Sequence, residues 1–276
     1  MTFLHAIIIA VLQGATELFP VSSLGHAVIL PRLLGWNVDQ KAPDFLPFLV
    51  VLHLGTATAL LAYFWRDWFG FAKAVLGLGD AETVRRERKI FWLICAATLP
   101  AVVIGGGLEH KLRGAFGAPT LAAAFLIVNG VILFVGDKMR HAGSRALDQV
   151  GFGAALAIGA CQALALIPGI SRSGATMVGG VLAGLTHKDA ARFSFLLATP
   201  VIAGAGVLEV PKMLHAATPI AYDPTMVVTA GVVAGAAAYA SVAALMHYFK
   251  KNEIEALKPF AYYCWAAGVL ALIVMR

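Results

Sequence analysis

Long apolar blocks separated by short polar segments dominate the hydropathy pattern of this 276-residue chain. A helix that crosses about 30 Å of hydrocarbon, rising 1.5 Å per residue, needs roughly 20 mainly apolar residues. Six blocks approach that length, and each is expected to form a transmembrane helix. They lie at residues 45–65, 91–108, 118–136, 192–209, 225–248 and 260–275.

Two further apolar regions, 3–30 and 150–185, are long enough to span a membrane but are interrupted near their middles. Pro-Val-Ser-Ser interrupts the first from Pro20, and Pro-Gly-Ile-Ser-Arg-Ser-Gly interrupts the second from Pro168. Proline removes a backbone donor and Ser/Gly clusters favour turns, so each region is predicted to form a helix–loop–helix hairpin. Because non-helical backbone at membrane depth must be satisfied by protein or by a wet cavity, the hairpins are expected to be re-entrant and to line a site.

The two interrupted regions share an ordered set of features that predicts an inverted-topology repeat. Gln13 precedes the first Pro/Ser segment, and Gln162 precedes the second. The expected fold is an all-α polytopic membrane protein with about six transmembrane helices plus two re-entrant helical hairpins. It would form a single integral membrane domain over 1–276, with a first repeat at about 1–110, a second at about 150–210 and the remaining helices interleaved.

Composition supports a membrane protein, because 60% of the residues are apolar, 13% are charged and the mean hydropathy is +0.82. A soluble globular domain carries about 25% charged residues. These values exclude a soluble, a disordered or a disulfide-stapled chain. The three cysteines lie inside apolar stretches without metal-binding spacing, and each is expected to be a core residue: Cys95, Cys161 and Cys264.

The positions of the basic residues predict the orientation of the chain. If each hairpin enters and leaves on one side, four polar loops share a face: 66–90, 137–149, 186–191 and 249–258. With Arg192 at its edge, that face holds fourteen of the 21 Lys and Arg residues, against six on the other face. The positive-inside rule makes it cytoplasmic, with both termini outside, the first hairpin open outward and the second inward. The net charge of +6 therefore reflects orientation and not a nucleic-acid partner.

Glu17 lies within the first hairpin, where an ionised carboxylate costs several kcal/mol unless it is paired or bound to a cation. Gln13 is four residues earlier and shares its helix face. Ser22, Ser23 and His26 follow, offering a hydroxyl nucleophile and a general acid or base. The alternatives are a solvated Glu17 at a hairpin tip, serines that only cap a helix and a lone helix-end histidine.

Arg172 is the one basic residue in either interrupted region. It is flanked by Ser171 and Ser173 and precedes a helix that is expected to begin near Gly174 to Thr176. An Arg fork, hydroxyl groups and free N–H groups at a helix N-terminus together predict a phosphate-binding cradle. The alternative is an arginine that extends to the membrane interface.

Other polar and small residues are expected to be structural. His53 lies in a spanning helix and is interpreted as a packing residue outside the catalytic set. The basic segment from Arg66 to Lys89 is expected to be a solvated cytoplasmic connection. The pair Gly231 and Gly235 has the spacing of a helix-packing contact.

The strings QGATELFPVSSLGH (13–26) and PGISRSGAT (168–176) resemble the two motifs of the bacterial undecaprenyl-diphosphatase family, also called the bacitracin-resistance protein family. The resemblance covers nearly the whole chain. It implies a multi-pass enzyme of the bacterial inner membrane with its active site on the periplasmic side. Such an enzyme removes the terminal phosphate of undecaprenyl diphosphate, and the undecaprenyl phosphate produced carries peptidoglycan precursors.

The resemblance also implies roles for individual residues. The catalytic set is Glu17, Ser23, His26 and Arg172. The substrate-binding set is Gln13, Ser22, Ser171, Arg172, Ser173, Gly174 and Thr176. A divalent cation, Mg²⁺ or Ca²⁺, would be held by Glu17 and Gln13. Because many members have Glu where this chain has Gln13, a single-carboxylate cation site completed by substrate phosphates is expected.

Several alternatives stay open at this stage. The nucleophile could be Ser23, His26 or water. The partners implied are a polyprenyl diphosphate and membrane lipids, and a homodimer is an open question. The main rival function is a membrane transporter or polyprenyl-phosphate flippase, because opposed hairpins also build transporter sites. The acid-phosphatase superfamily is disfavoured, because the chain lacks its Lys-containing and second His motifs.

Overall fold

A computed structural model describes residues 1–36, 38–40, 42, 44–112, 118–139, 145–214 and 222–276. The described residues form eleven α-helices and two 3₁₀ helices, which confirms an all-helical polytopic protein. The α-helices are α1 Phe3–Leu18, α2 Ser23–Leu33, α3 Phe45–Tyr63, α4 Trp65–Val75, α5 Ala81–Leu112, α6 Pro119–Lys138, α7 Phe152–Cys161, α8 Arg172–Leu182, α9 His187–Leu214, α10 Pro224–Lys251 and α11 Lys258–Val274. The 3₁₀ helices are Leu147–Gln149 and Gln162–Leu166.

Both interrupted regions form two helices joined by a short break, as predicted. The break between α1 and α2 ends at Ser22, whose Oγ accepts a hydrogen bond from the N–H of Gly25 at 3.3 Å. The break before α8 ends at Ser171, whose Oγ accepts from the N–H of Gly174 at 3.1 Å. In each hairpin a serine therefore caps the second helix.

Among the described residues, five helices are long and apolar enough to cross a membrane: α3, α5, α6, α9 and α10. They correspond to five of the six predicted spans. The sixth, predicted at 260–275, is α11, a 17-residue apolar helix. That length is at the lower limit for a membrane crossing.

The connection predicted from Arg66 to Lys89 is mostly exposed, but its first part forms helix α4 and is not wholly solvated. Phe71 and Ala74 of this helix are buried, and the edge of Trp68 packs on the ring of Phe71 with centroids 5.6 Å apart. These apolar residues recur every three residues, which gives the helix a face to bury. The charges of this segment alone do not reveal that face.

Charged side chains from the predicted cytoplasmic loops meet at one end of the protein. The Lys89 ammonium donates to the Asp148 carbonyl at 2.6 Å, and Arg192 pairs with Asp67. The other loops contribute a hydrogen-bonded cluster at the same end, formed by Asp137, His187 and Glu253. The shared face is thus confirmed, although three cations of the charge count lie outside the described residues: Lys41, Arg113 and Arg140.

Glycines allow α10 to approach two other helices closely. A Cβ atom on Gly14 of α1 would lie 2.2 Å from the Ala234 carbonyl oxygen, and one on Gly55 of α3 would lie 2.1 Å from the Gly231 carbonyl oxygen. A Cβ on Gly235 would meet the Gly55 carbonyl at 3.0 Å. The predicted packing role of the Gly231 and Gly235 pair is therefore confirmed.

The Gly55 contact predicts a large effect of a small substitution. Because a Cβ would meet backbone on α10, Gly55→Ala forces the helices apart and should cost about 1–3 kcal/mol of stability. Thermal unfolding in detergent measures the loss. Gly105→Ala is the matched control, because no atom of the described residues lies within 4 Å of a Cβ at that helical position. Equal melting temperatures for the two variants would contradict this packing.

Candidate active site

The carboxylate of Glu17 is the centre of a buried polar cluster. Glu17 lies in the last turn of α1 and is 8% exposed. Its Oε2 accepts hydrogen bonds from Gln13 Nε2 at 3.1 Å and from Ser23 Oγ at 2.5 Å. Its Oε1 accepts from Arg172 at 3.3 Å. The two hairpins therefore bring four predicted site residues together, and the paired carboxylate excludes the alternative of a simply solvated Glu17.

Arg172 is the first residue of α8, and its side chain reaches across the interface between the hairpins. One terminal nitrogen donates to Glu17, and the other donates to the Ser194 carbonyl at 3.4 Å. The guanidinium Nε is buried and has no partner among the described residues. Arg172 therefore has one donor without a partner among the described residues, beside the Ser171 cap at the N-terminus of α8.

Two side chains join the turns of the two hairpins. Ser173 Oγ lies 3.1 Å from the Phe19 carbonyl oxygen. The fully buried Asn129 of α6 donates from Nδ2 to the Pro20 carbonyl at 2.9 Å and accepts at Oδ1 from the Ser171 N–H at 2.9 Å. One amide thus satisfies a backbone group in each turn and sets the distance between them.

A cavity of about 760 Å³ adjoins this cluster. Its polar end is lined by Glu17, Ser22, Ser23, Ser171 and Arg172. Apolar residues of α3, α5 and α9 line about half of the remainder, among them Leu49, Ala101 and Ile202. The cavity can therefore take a ligand with a charged end and an apolar body.

His53 belongs to the cluster, which contradicts its interpretation as a packing residue. Its Nδ1 donates to the Leu49 carbonyl at 2.7 Å, and its Nε2 faces Glu17 Oε2 at 3.4 Å. The sequence contains a signal for this role. An ionisable group in a spanning helix is costly and therefore marks a functional site, and this argument holds for His53 as it does for Glu17. Gln162 was also missed: it lines the cavity, and its buried Oε1 has no partner among the described residues.

His26 is not brought to the Glu17 cluster. Its Nδ1 lies 2.7 Å from the Ser22 carbonyl oxygen, and its Nε2 lies 2.8 Å from the hydroxyl of Tyr263 on α11. It does not line the cavity formed by the described residues. The structure therefore separates His26 from the other three residues of the predicted catalytic set.

Several predicted substrate-binding residues lie behind the cavity wall. Thr176 Oγ1 bonds to the Arg172 carbonyl at 2.9 Å and to Ser194 Oγ at 2.6 Å. Gly174 lies against Pro20, which a Cβ atom would meet at 3.3 Å. Together with Ser173, these residues pack around the N-terminus of α8 and do not line the cavity.

Comparisons with known proteins agree on one family. A family model described as "Bacitracin resistance protein BacA" matches residues 6–270. An undecaprenyl-diphosphatase of Granulibacter bethesdensis is 54% identical, over 99% of this chain and 96% of its own length. One of Acidiphilium cryptum is 51% identical, over 100% of this chain and 99% of its own. An undecaprenyl-diphosphatase 2 of Chromobacterium violaceum is 48% identical, over 99% of both chains.

The bridge made by Asn129 predicts a stability change. Asn129→Leu keeps the approximate volume but leaves the Ser171 N–H buried without a partner among the described residues, and leaves the Pro20 carbonyl with only the long contact from Cys264 Sγ at 4.0 Å. The expected cost is about 1–3 kcal/mol. Chemical or thermal unfolding in detergent measures the loss. Thr56→Val is the matched control, because the buried Thr56 hydroxyl bonds only to the Leu52 carbonyl of its own helix among the described residues. A melting temperature of Asn129→Leu equal to that of the control would refute the bridge.

Proposed function

The chain belongs to the bacitracin resistance protein BacA family, and from this membership and the site we propose that it is an undecaprenyl-diphosphatase. The reaction removes the terminal phosphate of undecaprenyl diphosphate and returns the lipid carrier to cell-wall synthesis. The observation that carries the proposal is the contact of Glu17, Ser23 and Arg172 at the polar end of an apolar cavity.

Arg172 binds the diphosphate. Its Nε, which has no partner among the described residues, and the N-terminus of α8 supply donors for phosphoryl oxygens. When a phosphate displaces the Glu17 carboxylate from the guanidinium, the arginine keeps its bond to the Ser194 carbonyl, which holds the fork in place. Donors fixed before the reaction stabilise the charge that develops on the transferring phosphoryl group.

Ser23 is the nucleophile that the geometry favours. Its hydroxyl already donates to Glu17 at 2.5 Å, so the carboxylate is placed to take the proton as Oγ attacks the terminal phosphorus. The new Oγ–P bond forms as the bridging P–O bond breaks and undecaprenyl phosphate leaves as an anion. Glu17 passes this proton to His53 Nε2 before the second step. Water then attacks the phosphoserine and gives a proton to Glu17, which returns it to Ser23 Oγ as the Oγ–P bond breaks and inorganic phosphate leaves. His53 Nε2 adjoins the same carboxylate oxygen and can exchange that proton.

The oxygen donors beside Glu17 fit a divalent cation that the diphosphate completes. Among the described residues, no group of three or more His, Cys, Asp or Glu could hold a metal ion. The buried Oε1 of Gln13 has no partner there, and carbonyl and carboxylate oxygens are ligands for Mg²⁺ and Ca²⁺. Glu17 and Gln13 would hold the cation, and substrate oxygens would supply the rest. When bound, it neutralises phosphoryl charge.

The architecture we propose has two re-entrant hairpins and six spans, with α11 as the sixth. The helix contacts repeat in the two halves of the chain. α1 packs on α10 in the same way that α7 packs on α5, and two pairs of corresponding helices, α3 with α9 and α6 with α11, pack on each other. These contacts support inverted repeats of α1–α6 and α7–α11, in place of the sequence-based bounds.

The cavity extends to Ala42 and Phe45 at the start of α3, away from the end where Arg192 meets Asp67. With the basic face cytoplasmic, the cavity opens to the periplasmic side of the inner membrane.

The activity is tested with purified protein in detergent and a polyprenyl diphosphate substrate. We expect cation-dependent release of inorganic phosphate, with a loss of about 100-fold or more in Glu17→Gln and Arg172→Ala, because each change removes transition-state stabilisation. Ser241→Ala is the control, because Ser241 Oγ bonds only within α10 among the described residues. Substrate transport into vesicles without phosphate release would favour the rival transporter or flippase.

The cation site is tested by a change at Gln13. EDTA should abolish phosphate release, and added Mg²⁺ should restore it. Gln13→Glu supplies a second carboxylate and should lower the Mg²⁺ concentration for half-maximal activity by about tenfold, because ligand charge tunes affinity for hard cations. Gln13→Leu should raise that concentration. Activity that survives EDTA, or the same Mg²⁺ dependence in all three proteins, would refute these ligands.

A further inference from the structure

The turn that presents the proposed nucleophile is held in a strained conformation. Ser22 has φ = +67°, a left-handed backbone that residues other than glycine rarely adopt. It directly precedes Ser23, whose hydroxyl bonds to Glu17 at 2.5 Å. Such strain persists only where surrounding contacts maintain it, so some group must hold the Ser22 backbone.

His26 supplies two of those contacts. Its backbone N–H donates to the Ser22 carbonyl at 3.2 Å, and its ring Nδ1 lies 2.7 Å from the same oxygen. A carbonyl oxygen can only accept, so Nδ1 must carry the proton. The shorter of the two bonds to the strained residue therefore comes from the imidazole.

Tyr263 fixes the other side of the ring. With Nδ1 protonated, the neutral imidazole has a bare Nε2, which accepts from the Tyr263 hydroxyl at 2.8 Å. The two rings are also stacked, with centroids 5.6 Å apart and planes inclined by 12°. Both ring nitrogens are thus used within the protein, away from the cavity.

We infer that His26 is a positioning residue: its Nδ1–H holds the strained Ser22 carbonyl so that Ser23 Oγ faces Glu17, and Tyr263 fixes its tautomer. The imidazole makes no contact with the reacting atoms. This inference rests on the proposed function, because its measured quantity is phosphate release. It assigns Tyr263, on the last helix of the chain, an effect on the reaction through His26.

Three substitutions of His26 separate positioning from proton transfer. Asn places an amide N–H near the position of Nδ1 and lacks an Nε2, whereas Gln and Ala cannot reproduce the Nδ1–H bond. We expect His26→Asn to keep kcat within about tenfold of the parent, and His26→Ala and His26→Gln to lose about 100-fold, with small changes in KM. The pH profile of kcat in His26→Asn should have the parental shape.

The Tyr263 hydroxyl is tested by a double-mutant cycle. Tyr263→Phe keeps the stacked ring and removes the partner of Nε2, so we expect kcat to fall by about three- to tenfold. In the His26→Asn background, where no Nε2 exists, the same change should have no further effect. Tyr262→Phe is the control on the neighbouring, 53% exposed residue and should be neutral.

The outcomes are distinguishable. A parent protein that releases no phosphate refutes the proposed function itself. An active parent with His26→Asn as inactive as His26→Ala, or with one limb of its pH profile lost, overturns the positioning role and makes His26 an acid, base or nucleophile. Additive losses in the double variant overturn the role of Tyr263. Melting temperatures of all variants identify any loss that comes from unfolding.

Discussion

The buried carboxylate of Glu17 is the constraint on which the rest of the structure depends. A charge at membrane depth has no water to solvate it, so the protein must supply donors. Gln13 lies on the same helix, whereas Ser23, His53 and Arg172 each lie on another helix. Two hairpins and a spanning helix must therefore meet at one point, and this requirement determines how α1, α2, α3 and α8 are arranged.

Breaking two helices creates a second requirement, because it exposes backbone groups that the bilayer cannot satisfy. Ser22 and Ser171 cap the helices that follow the breaks, while Asn129 pairs one backbone group from each turn. The same bonds that stabilise the turns fix the gap between Ser23 and Arg172. Stability and catalytic geometry therefore depend on shared residues, and an Asn129 substitution should affect both.

The sequence was informative wherever a residue type is costly in a membrane. Pro, Ser and Gly within apolar blocks predicted the two breaks. Glu17 and Arg172 were identified because the bilayer core offers no partner for a charged side chain, so each must be paired within a site. The neighbour toward which a helical side chain points could not be predicted in the same way. His53 and His26 are both histidines in apolar surroundings, yet His53 faces Glu17 and His26 faces Tyr263. That difference comes from tertiary packing, which hydropathy does not encode.

The size of the cavity explains why this chemistry can take place inside a membrane protein without removing the lipid from the membrane. About 760 Å³ is the volume of a site for a small molecule, within the roughly 300–1,000 Å³ that ligand pockets occupy. It can enclose the diphosphate and the nearest part of the polyprenyl chain, but the rest of the tail must stay among the bilayer lipids. In the proposed reaction, binding transfers only the charged head from the interface to Arg172, and the apolar wall between Leu49 and Ile202 accommodates the chain that follows it.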